Sequence, residues 1–303
     1  MVEVAQLYYE QNLTQKQISL KLGISRPMVS KMLNTARELG LVSIQVHTTP
    51  QGSNVLLNQL RNNFGLRGGV IVPEGSTEVT TNQAIAQGIL DLIVNATTVR
   101  SIGFGWGYIV GRFVNLLEEV AALPPTPDVD VFPLIGNSSV SNRDYHSNEI
   151  VRLYAEKAKA TPLYLHAPAF LDSEQEMRLF EESESYKKLE AYWNRMDLAI
   201  VNIGNYPSVP DYATATRFGN LLTTHKAVGR MLCYYFDVEG NIIHSDTDFS
   251  IQIPLATLSR CPNVVAVCSA ALQPKALLGA LRSGLFMNVI ASESLIKKTL
   301  ELH

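Results

Sequence analysis

Short apolar runs alternate along most of the chain with longer segments that place apolar residues at helical spacing. The apolar runs predict strands at residues 70–72, 99–104, 129–135, 162–166, 198–203, 264–268 and 287–290. The segments between them predict helices at residues 80–94, 108–121, 148–158, 183–195, 274–283 and 292–302. This alternation is typical of an α/β fold with a mostly parallel sheet covered on both faces. Ligands of such sheets bind beyond the carboxyl ends of the strands, so the loops that follow the strands are the candidate site.

Residues 14–36 carry a different pattern, that of two short amphipathic helices joined by a tight turn. Thr14 and Gln17 have the spacing of a capping box, in which each side chain accepts a hydrogen bond from the other residue's backbone N–H. Gly23 can take the left-handed conformation that ends a first helix, and Ser25 is a suitable N-cap for a second. The buried face of the second helix is then expected to comprise Val29, Met32, Leu33 and Ala36. The pattern predicts a helix-turn-helix motif.

The exposed face of these two helices indicates DNA binding. Short polar or basic side chains there can contact base edges and phosphates in a major groove. The expected DNA contacts are Gln15, Arg26, Met28, Ser30, Lys31 and Asn34. The helix is expected to end at Gly40, and residues 41–47 then alternate apolar and polar positions, which predicts a strand and a winged variant of the motif. A helical hairpin with a solvated charged face is the alternative that the spacing leaves open.

The charge distribution refines this interpretation. Residues 1–47 hold five lysines and arginines against three glutamates, a net charge of +2, whereas the whole chain carries −3, so the remaining residues carry −5. Non-specific affinity for DNA grows with the number of phosphate charges that a protein neutralises, so a domain this weakly basic binds poorly as one copy. We therefore expect two or more copies to act together on repeated half-sites.

Composition bounds the class of protein. A chain of 303 residues with 46% hydrophobic and 17% charged residues is typical of a globular protein with two domains. The sequence has neither an apolar run of membrane-spanning length nor a leader pattern, so we expect a cytoplasmic protein. Cys233, Cys261 and Cys268 lack the spacing of metal ligands and are expected to be buried, reduced thiols. We expect no metal site and no cofactor.

A glycine-rich turn follows the predicted strand at residues 99–104 and begins a helix. In Gly103-Phe104-Gly105-Trp106-Gly107, the glycines allow backbone N–H groups to approach an anion at the positive end of the helix. The spacing is neither that of a GxGxxG dinucleotide site nor that of a GxxxxGK[ST] phosphate loop, which argues against a nucleoside cofactor. Tight packing of the strand against the helix is the alternative explanation for the glycines.

Motifs in both halves of the chain resemble one family. In the N-terminal part they lie at residues 4–9, 14–18, 22–26, 29–33 and 36–42. Further along they are Gly105-Trp106-Gly107 and residues 165–169, 196–204, 227–229, 236–240 and 275–281. Their order and spacing resemble those of the SorC/DeoR-like sugar-binding transcriptional regulators over essentially the full chain.

The resemblance implies an organisation and a function. Residues 1–48 would form a winged helix-turn-helix, residues 49–66 a linker helix, and residues 67–303 an effector-binding and oligomerisation domain. That last domain would be similar in fold to ribose-5-phosphate isomerase, glucosamine-6-phosphate deaminase and CoA-transferase subunits. The protein would regulate a carbohydrate-utilisation operon as a dimer or tetramer. Its partners would be operator DNA and a phosphorylated sugar or polyol, with no membrane partner.

The expected effector site combines the family motifs with nearby polar residues. Gly105, Trp106 and Gly107 would cradle a phosphate, Lys275 would contact the phosphate or hydroxyls from a helix start, and Arg217 could supply a second positive charge. The complete set is Gly105, Trp106, Gly107, Tyr108, Asn137, His146, Asn148, Arg217, Arg230 and Lys275. The chain departs from the family at four places. Tyr108-Ile109 stands where a hydroxyl residue is usual, and Arg230 stands where an acid is common. Residues 137–139 replace a glycine-rich loop, and residues 269–271 also differ from the family pattern.

Two alternatives belong to other classes of protein. A sugar-phosphate isomerase or deaminase with an appended DNA-binding domain would share this fold, but it would need a carboxylate base near Lys275, and the sequence shows no paired carboxylates there. A DNA-binding protein whose effector domain serves only in oligomerisation would also fit the departures from the family. We expect a regulator and not an enzyme.

Overall fold

The computed structural model describes residues 1–10, 13–38, 41, 51–138, 142, 146–207 and 217–303. The chain divides into two compact units, Met1–Thr49 and Pro50–His303. In the first unit, α1 (Val2–Ala5) runs into a π-helical turn (Gln6–Glu10), followed by α2 (Gln15–Leu22) and α3 (Arg26–Glu38). Its small core comprises Val4, Leu7, Ile18, Val29 and Leu33.

The predicted capping features of the first unit are confirmed. The Thr14 N–H donates to Gln17 Oε1 at 2.8 Å, and Thr14 Oγ1 accepts from the Gln17 N–H at 3.3 Å. Gly23 ends α2 with a left-handed φ of 65°, and Ser25 Oγ accepts from the Met28 N–H at 3.4 Å. The predicted end of the second helix at Gly40 and nearly all of the predicted wing strand lie outside the described residues.

The second unit is an α/β layer structure. Its strands are β1 (Gly68–Val72), β2 (Ser101–Phe104), β3 (Asp130–Pro133), β4 (Thr161–Pro162), β5 (Leu198–Asn205), β6 (Gly229–Met231), β7 (Tyr234–Phe236), β8 (Ile242–Ile243), β9 (Val264–Cys268) and β10 (Asn288–Ser292). Its helices are α4 (Gln51–Phe64), α5 (Glu78–Asn95), α6 (Tyr108–Glu119), α7 (Ser147–Ala158), α8 (Glu174–Glu181), α9 (Glu184–Trp193), α10 (Leu221–Thr224), α11 (Leu255–Leu258), α12 (Pro274–Arg282) and α13 (Glu293–Leu300).

The central sheet confirms the predicted mostly parallel architecture. Its strand order is β1-β10-β9-β5-β2-β3-β4, and each neighbouring pair in that order is parallel. From β2 the chain adds β3 and β4 toward one edge, and from β5 it adds β9 and β10 toward the other. The boundary between β2 and β5 is therefore a topological switch point, where the loops after the two strands diverge and leave a crevice.

An antiparallel extension was not predicted from the sequence. The carboxyl end of β5 pairs with β6, which pairs with β7, which in turn pairs with β8. In this ladder Gly204 of β5 lies opposite Arg230 of β6. The β6–β7 hairpin of this extension therefore lies at the same end of the sheet as the crevice.

One predicted strand is shorter in the structure, and one predicted helix also contributes to the core. The strand expected at residues 162–166 is limited to Thr161–Pro162, because the backbone N–H and C=O of Leu165 bond to the side chain of Asn148 instead of a further strand. The helix expected within residues 49–66 is present as α4, and its Leu56 and Leu60 belong to the core of the second unit.

The described parts of the chain show neither a membrane-spanning helix nor a metal-binding cluster. Over those residues, none of the helices is both long and apolar enough to cross a bilayer. No group of three or more histidine, cysteine or acidic side chains that could hold a metal ion occurs in the same ranges.

Candidate functional site

A cleft of about 320 Å³ lies beyond the carboxyl ends of β2, β5 and β9, at the switch point of the sheet. Loops from these strands and the β6–β7 hairpin form its walls. The lining residues are Trp106, Gly107, Tyr108, Asn202, Ile203, Gly204, Asn205, Pro207, Arg230, Leu232, Ser269 and Leu272. The structure thus brings four of the residues expected from the sequence to one cleft: Trp106, Gly107, Tyr108 and Arg230.

The first wall is the turn between β2 and α6. Gly107 has φ 123° and ψ 173°, a conformation that residues with a side chain rarely adopt, and a Cβ there would lie 2.8 Å from Asn202 Cγ. Asn202 Oδ1 accepts a hydrogen bond from the Ile109 N–H at 3.2 Å, which fixes the start of α6. Among the described residues, the N–H groups of Gly107 and Tyr108 have no acceptor, so this helix end can receive an anion.

The second wall is the loop between β9 and α12. The Asn205 side chain donates to the Ala271 carbonyl at 3.1 Å and accepts from the Gln273 N–H at 2.8 Å. The buried Asn82 side chain accepts from the Ala270 N–H at 2.8 Å. These bonds hold the start of α12 against the carboxyl end of β5.

The third wall is the β6–β7 hairpin. A Cβ on Gly204 would lie 3.3 Å from both Cγ and Nε of Arg230, so the arginine side chain lies along this part of β5. Arg230 is the only charged residue among those that line the cleft in the described part of the chain. Leu232, in the hairpin turn, has a left-handed φ of 51° and packs against the turn after β2, where a Cβ on Gly105 would lie 2.9 Å from Leu232 Cδ2.

Arg217 does not line the cleft. Its side chain is 6% exposed, and its Nε donates to Asp248 Oδ1 at 2.8 Å. Burial acts to lower the pKa of Arg217, but Cys233 and the bonded Asp248 outweigh it and raise the pKa above the ordinary value. The positive charge is thus already paired inside the protein, which argues against the expected role of Arg217 as a second phosphate ligand.

Asn137 and Asn148 also have partners within the fold. Asn148 donates to the Leu165 carbonyl at 3.0 Å and accepts from its N–H at 2.9 Å. Asn137 Oδ1 accepts from Ser147 Oγ at 3.2 Å and from the Asn148 N–H at 3.4 Å. These contacts fasten α7 to the loops that follow β3 and β4, and none of these residues lines the cleft. His146 precedes this helix as its N-cap residue and is half-buried.

Lys275 is exposed and lies in the first turn of α12. It does not line the cleft itself, although Ser269 and Leu272 in the preceding loop do. A positive charge at this position adds to the positive end of the helix dipole, so a ligand that extends from the cleft toward α12 would meet it.

Sequence analysis missed Asn202 and Asn205, which hold the two helix starts on either side of the cleft. Both lie near the carboxyl end of β5, the strand at the switch point. Polar side chains at the end of a buried apolar strand were the available signal, since such positions face the ligand crevice of an open α/β sheet.

The predicted DNA-contact residues lie on α2 and α3 of the first unit. Arg26, Met28, Lys31 and Asn34 are exposed, and Gln15 and Ser30 are half-buried. The opposite face of α3 is buried through Val29, Leu33 and Ala36, as predicted, whereas Met32 is half-buried. The helix therefore presents a polar and basic face away from the core of its unit.

Cys233, Cys261 and Cys268 are buried, and none of the three forms a disulfide bond. Burial raises the pKa of Cys261 to about 11 and raises the pKa of Cys268 further. These two thiols are therefore neutral at neutral pH and poor nucleophiles or metal ligands.

Comparisons with known proteins extend over the whole chain. The family model described as "Putative sugar-binding domain" matches residues 49–301. The chain is 28% identical over 314 residues to the sorbitol operon regulator of Klebsiella pneumoniae, covering 100% of this chain and 96% of that protein. It is 26% identical over 298 residues to the deoxyribonucleoside regulator of Bacillus subtilis (strain 168), covering 95% and 93%.

A solved structure is also similar to this chain over nearly its full length. The crystal structure of the full-length sorbitol operon regulator SorC from Klebsiella pneumoniae matches with a TM-score of 0.75 and 26% identity. The match covers 99% of this chain and 97% of that one. The chain therefore belongs to the sugar-binding domain family of the SorC-like transcriptional regulators.

Proposed function

We propose that this protein is a transcriptional regulator that binds operator DNA through its first unit and a phosphorylated sugar or polyol in the cleft of its second unit. The curated relatives are named as regulators of a sorbitol operon and of deoxyribonucleoside genes, and an enzymatic function has no support among them. The regulated genes would be those of a carbohydrate-utilisation operon, and the protein would act in the cytoplasm.

The proposal of a phosphorylated effector is supported chiefly by the geometry at the start of α6. The N–H groups of Gly107 and Tyr108 lie at the positive end of a 12-residue helix, and Arg230 reaches the same cleft from β6. A helix start together with a guanidinium group is a favourable environment for a phosphate dianion. Trp106 and Leu232 supply apolar surface for the carbon skeleton.

The assignment of the remaining contacts follows from their partners. Arg217, Asn137 and Asn148 are excluded from the proposed direct contacts, because their polar atoms already bond within the protein. Lys275 would contact the end of the ligand that extends toward α12, and His146 would lie near the sugar. The fold of the second unit would be of the type found in ribose-5-phosphate isomerase, glucosamine-6-phosphate deaminase and CoA-transferase subunits, here used for binding without turnover.

The DNA-binding half of the proposal rests on α3. Its exposed face carries Arg26, Lys31 and Asn34, and a helix of 13 residues can lie in a major groove. We assign residues 1–48 to a winged helix-turn-helix, residues 49–66 to a connecting helix and residues 67–303 to the effector domain. The protein would act as a dimer or tetramer, because one weakly basic domain neutralises few phosphates.

Regulation requires that the effector bind one arrangement of the oligomer more tightly than another. The effector can shift the equilibrium only by the difference between its affinities for the two arrangements. Whether the result is repression or activation then depends on where the operator lies.

Calorimetry and DNA binding together test the proposal. We expect the protein to bind sorbitol 6-phosphate or 2-deoxyribose 5-phosphate, or another member of a sugar-phosphate panel, and to bind each parent sugar at least about tenfold more weakly. The bound compound should also change the affinity for the DNA upstream of the gene, measured by fluorescence anisotropy. If no phosphorylated compound binds or alters the anisotropy, the effector assignment is wrong.

A matched pair of variants locates the phosphate. Arg230→Gln should weaken binding of the phosphorylated ligand about tenfold to a hundredfold, since a charge-assisted hydrogen bond contributes about 1.5–3 kcal/mol. Binding of the unphosphorylated parent should change little. Arg178→Gln, which removes an exposed arginine from α8 outside the cleft, should leave both affinities unchanged.

A further inference from the structure

Arg217 is a buried charged residue near the cleft, although it does not line it. Its guanidinium carbon lies over two aromatic rings, 4.1 Å from the centroid of Phe170 and 5.1 Å from that of Phe218. Asp248 neutralises its charge in the ion pair described above. The Arg217 carbonyl also accepts hydrogen bonds from the hydroxyl groups of Ser245 and Thr247, so both its backbone and its side chain bind the segment at residues 245–248.

The first connection from Arg217 to the cleft runs through the β6–β7 turn. Arg217 Nη2 donates to the Cys233 carbonyl at 3.3 Å, and the Cys233 N–H donates to Gln252 Oε1 at 2.9 Å. Both backbone groups of Cys233 are therefore held from outside the hairpin. Cys233 follows Leu232, whose left-handed backbone places its side chain in the cleft wall.

The second connection runs through aromatic rings. Phe170, which lies against the Arg217 guanidinium, is 6.3 Å from the ring of Trp106, centroid to centroid. Trp106 belongs to the turn between β2 and α6 and lines the cleft. Arg217 thus supports the apolar surface on two sides of the cleft, at Trp106 and at Leu232.

We infer that Arg217 is a positioning residue for the effector site: it fixes Leu232 through Cys233 and Trp106 through Phe170, and its own charge does not contact the ligand. The inference rests on the proposed function only in identifying what the cleft binds. The flat guanidinium group is required, because it can contact aromatic rings while it donates in its own plane to Asp248 and to the Cys233 carbonyl. A lysine would keep the charge but could not satisfy these contacts together.

Fluorine NMR tests the positioning directly. The chain has two tryptophans, Trp106 in the cleft wall and the buried Trp193, so labelling with 5-fluorotryptophan gives one signal at the site and one internal reference. In Arg217→Lys, without any ligand, the Trp106 signal should shift or broaden while the Trp193 signal stays unchanged. In Arg195→Lys, which alters an exposed ion pair with Asp130 and a ring contact with Tyr192, the Trp106 signal should stay unchanged.

Ligand and DNA binding complete the test. In Arg217→Lys, the affinity for the sugar phosphate that the wild-type protein binds should fall about tenfold to a hundredfold, because small displacements of positioning groups have effects of this size. The affinity for operator DNA without effector should stay within about twofold of wild type. Asp248→Asn should shift the Trp106 signal in the same way, since it releases the guanidinium group from its acidic partner.

The outcomes separate this inference from the proposed function. An unchanged Trp106 signal with unchanged ligand affinity overturns the positioning role, and so does a change of both tryptophan signals with a lowered melting temperature, which would indicate a general loss of structure. If the wild-type protein binds no sugar phosphate, the proposed function fails, and the fluorine signals alone still decide the role of Arg217.

Discussion

Replacing Gly107 by alanine should destabilise the second unit and weaken effector binding, because Gly107 combines an unusual backbone conformation with a close neighbour. Its φ of 123° and ψ of 173° lie in a region that essentially only glycine occupies. An alanine Cβ would lie 2.8 Å from Asn202 Cγ and 2.9 Å from Nδ2, so the asparagine side chain would have to move.

The expected magnitude is the sum of two effects. Holding an alanine in this backbone conformation costs about 1–3 kcal/mol. Moving Asn202 breaks its hydrogen bond to the Ile109 N–H, which contributes about 0.5–1.5 kcal/mol. The free energy of unfolding should therefore fall by about 1.5–4.5 kcal/mol, which for a unit of this size corresponds to a decrease in melting temperature of roughly 3–18 °C.

Thermal and denaturant unfolding of the wild type, Gly107→Ala, Asn202→Ala and the double variant measure these effects. Gly65→Ala is the matched control, because Gly65 also has a positive φ, 71°, but nothing within 4 Å of an added Cβ. We expect that control to lose only about 1 kcal/mol. In the double variant the clash with the amide is removed, so its loss should be smaller than the sum of the single losses by at least about 0.5 kcal/mol.

Two results would refute this reasoning. If Gly107→Ala loses no more stability than Gly65→Ala, the backbone at Gly107 is not constrained as the structure indicates. If the losses of Gly107→Ala and Asn202→Ala simply add, the contact between the two residues is not the source of the effect. Calorimetry on the folded fraction should show weaker binding of sugar phosphate to Gly107→Ala than to the wild type, because the helix start proposed to receive the phosphate is displaced.

Three further predictions concern the capping box, the DNA-binding face and a carboxyl group at the sheet edge. Thr14→Ala should lower the stability of the first unit by about 1 kcal/mol in thermal unfolding, whereas Thr14→Ser should restore most of it. Lys31→Ala should weaken operator binding and reduce the slope of log affinity against log salt by about one, whereas Lys187→Ala on α9 should change neither. Glu74→Gln should lower stability at pH 7, and the difference from wild type should disappear as the pH falls through the folded-state pKa of Glu74. Burial acts to raise that pKa, but it lies below the ordinary value of 4.5 because of hydrogen bonds from Ser294, Ser292 and Thr81, so the stabilisation by the ionised form is present above pH 4.5 and lost in more acidic solution.

The features that sequence analysis predicted correctly depend on local patterns. Apolar runs and helical spacing identified the parallel sheet, and the Thr14 and Gln17 spacing identified a capping box, because each of these signals acts over a few residues. The glycine turn at residues 103–107 was found for the same reason, since its backbone requirement is local. Its neighbour Asn202 was missed, because the contact that makes Gly107 necessary joins positions that are distant in sequence.

Features that depend on tertiary partners were not predictable in this way. The strand expected at residues 162–166 has a suitable composition, but the Asn148 side chain takes both backbone groups of Leu165. The β6–β8 ladder has strands of only two or three residues, too short for a period to be recognised. Propensity and periodicity therefore located the layers of the fold, whereas the hairpin that supplies a wall of the cleft required the structure.

Arg217 and Arg230 show why the residue type alone does not define an electrostatic site. Both were expected at the effector site, Arg217 as a second positive charge for the phosphate and Arg230 because it replaces an acid that is common at that position of the family. Arg217 is paired with Asp248, 31 residues further along the chain. A phosphate would therefore have to compete with this half-buried carboxylate for the guanidinium group. Arg230 is delivered to the cleft by the antiparallel pairing of β6 with β5, opposite Gly204, which has no side chain to occupy that space. The role of each arginine therefore follows from the pairing of strands and charges, and exchanging the two roles would require moving Asp248 or placing a side chain at Gly204.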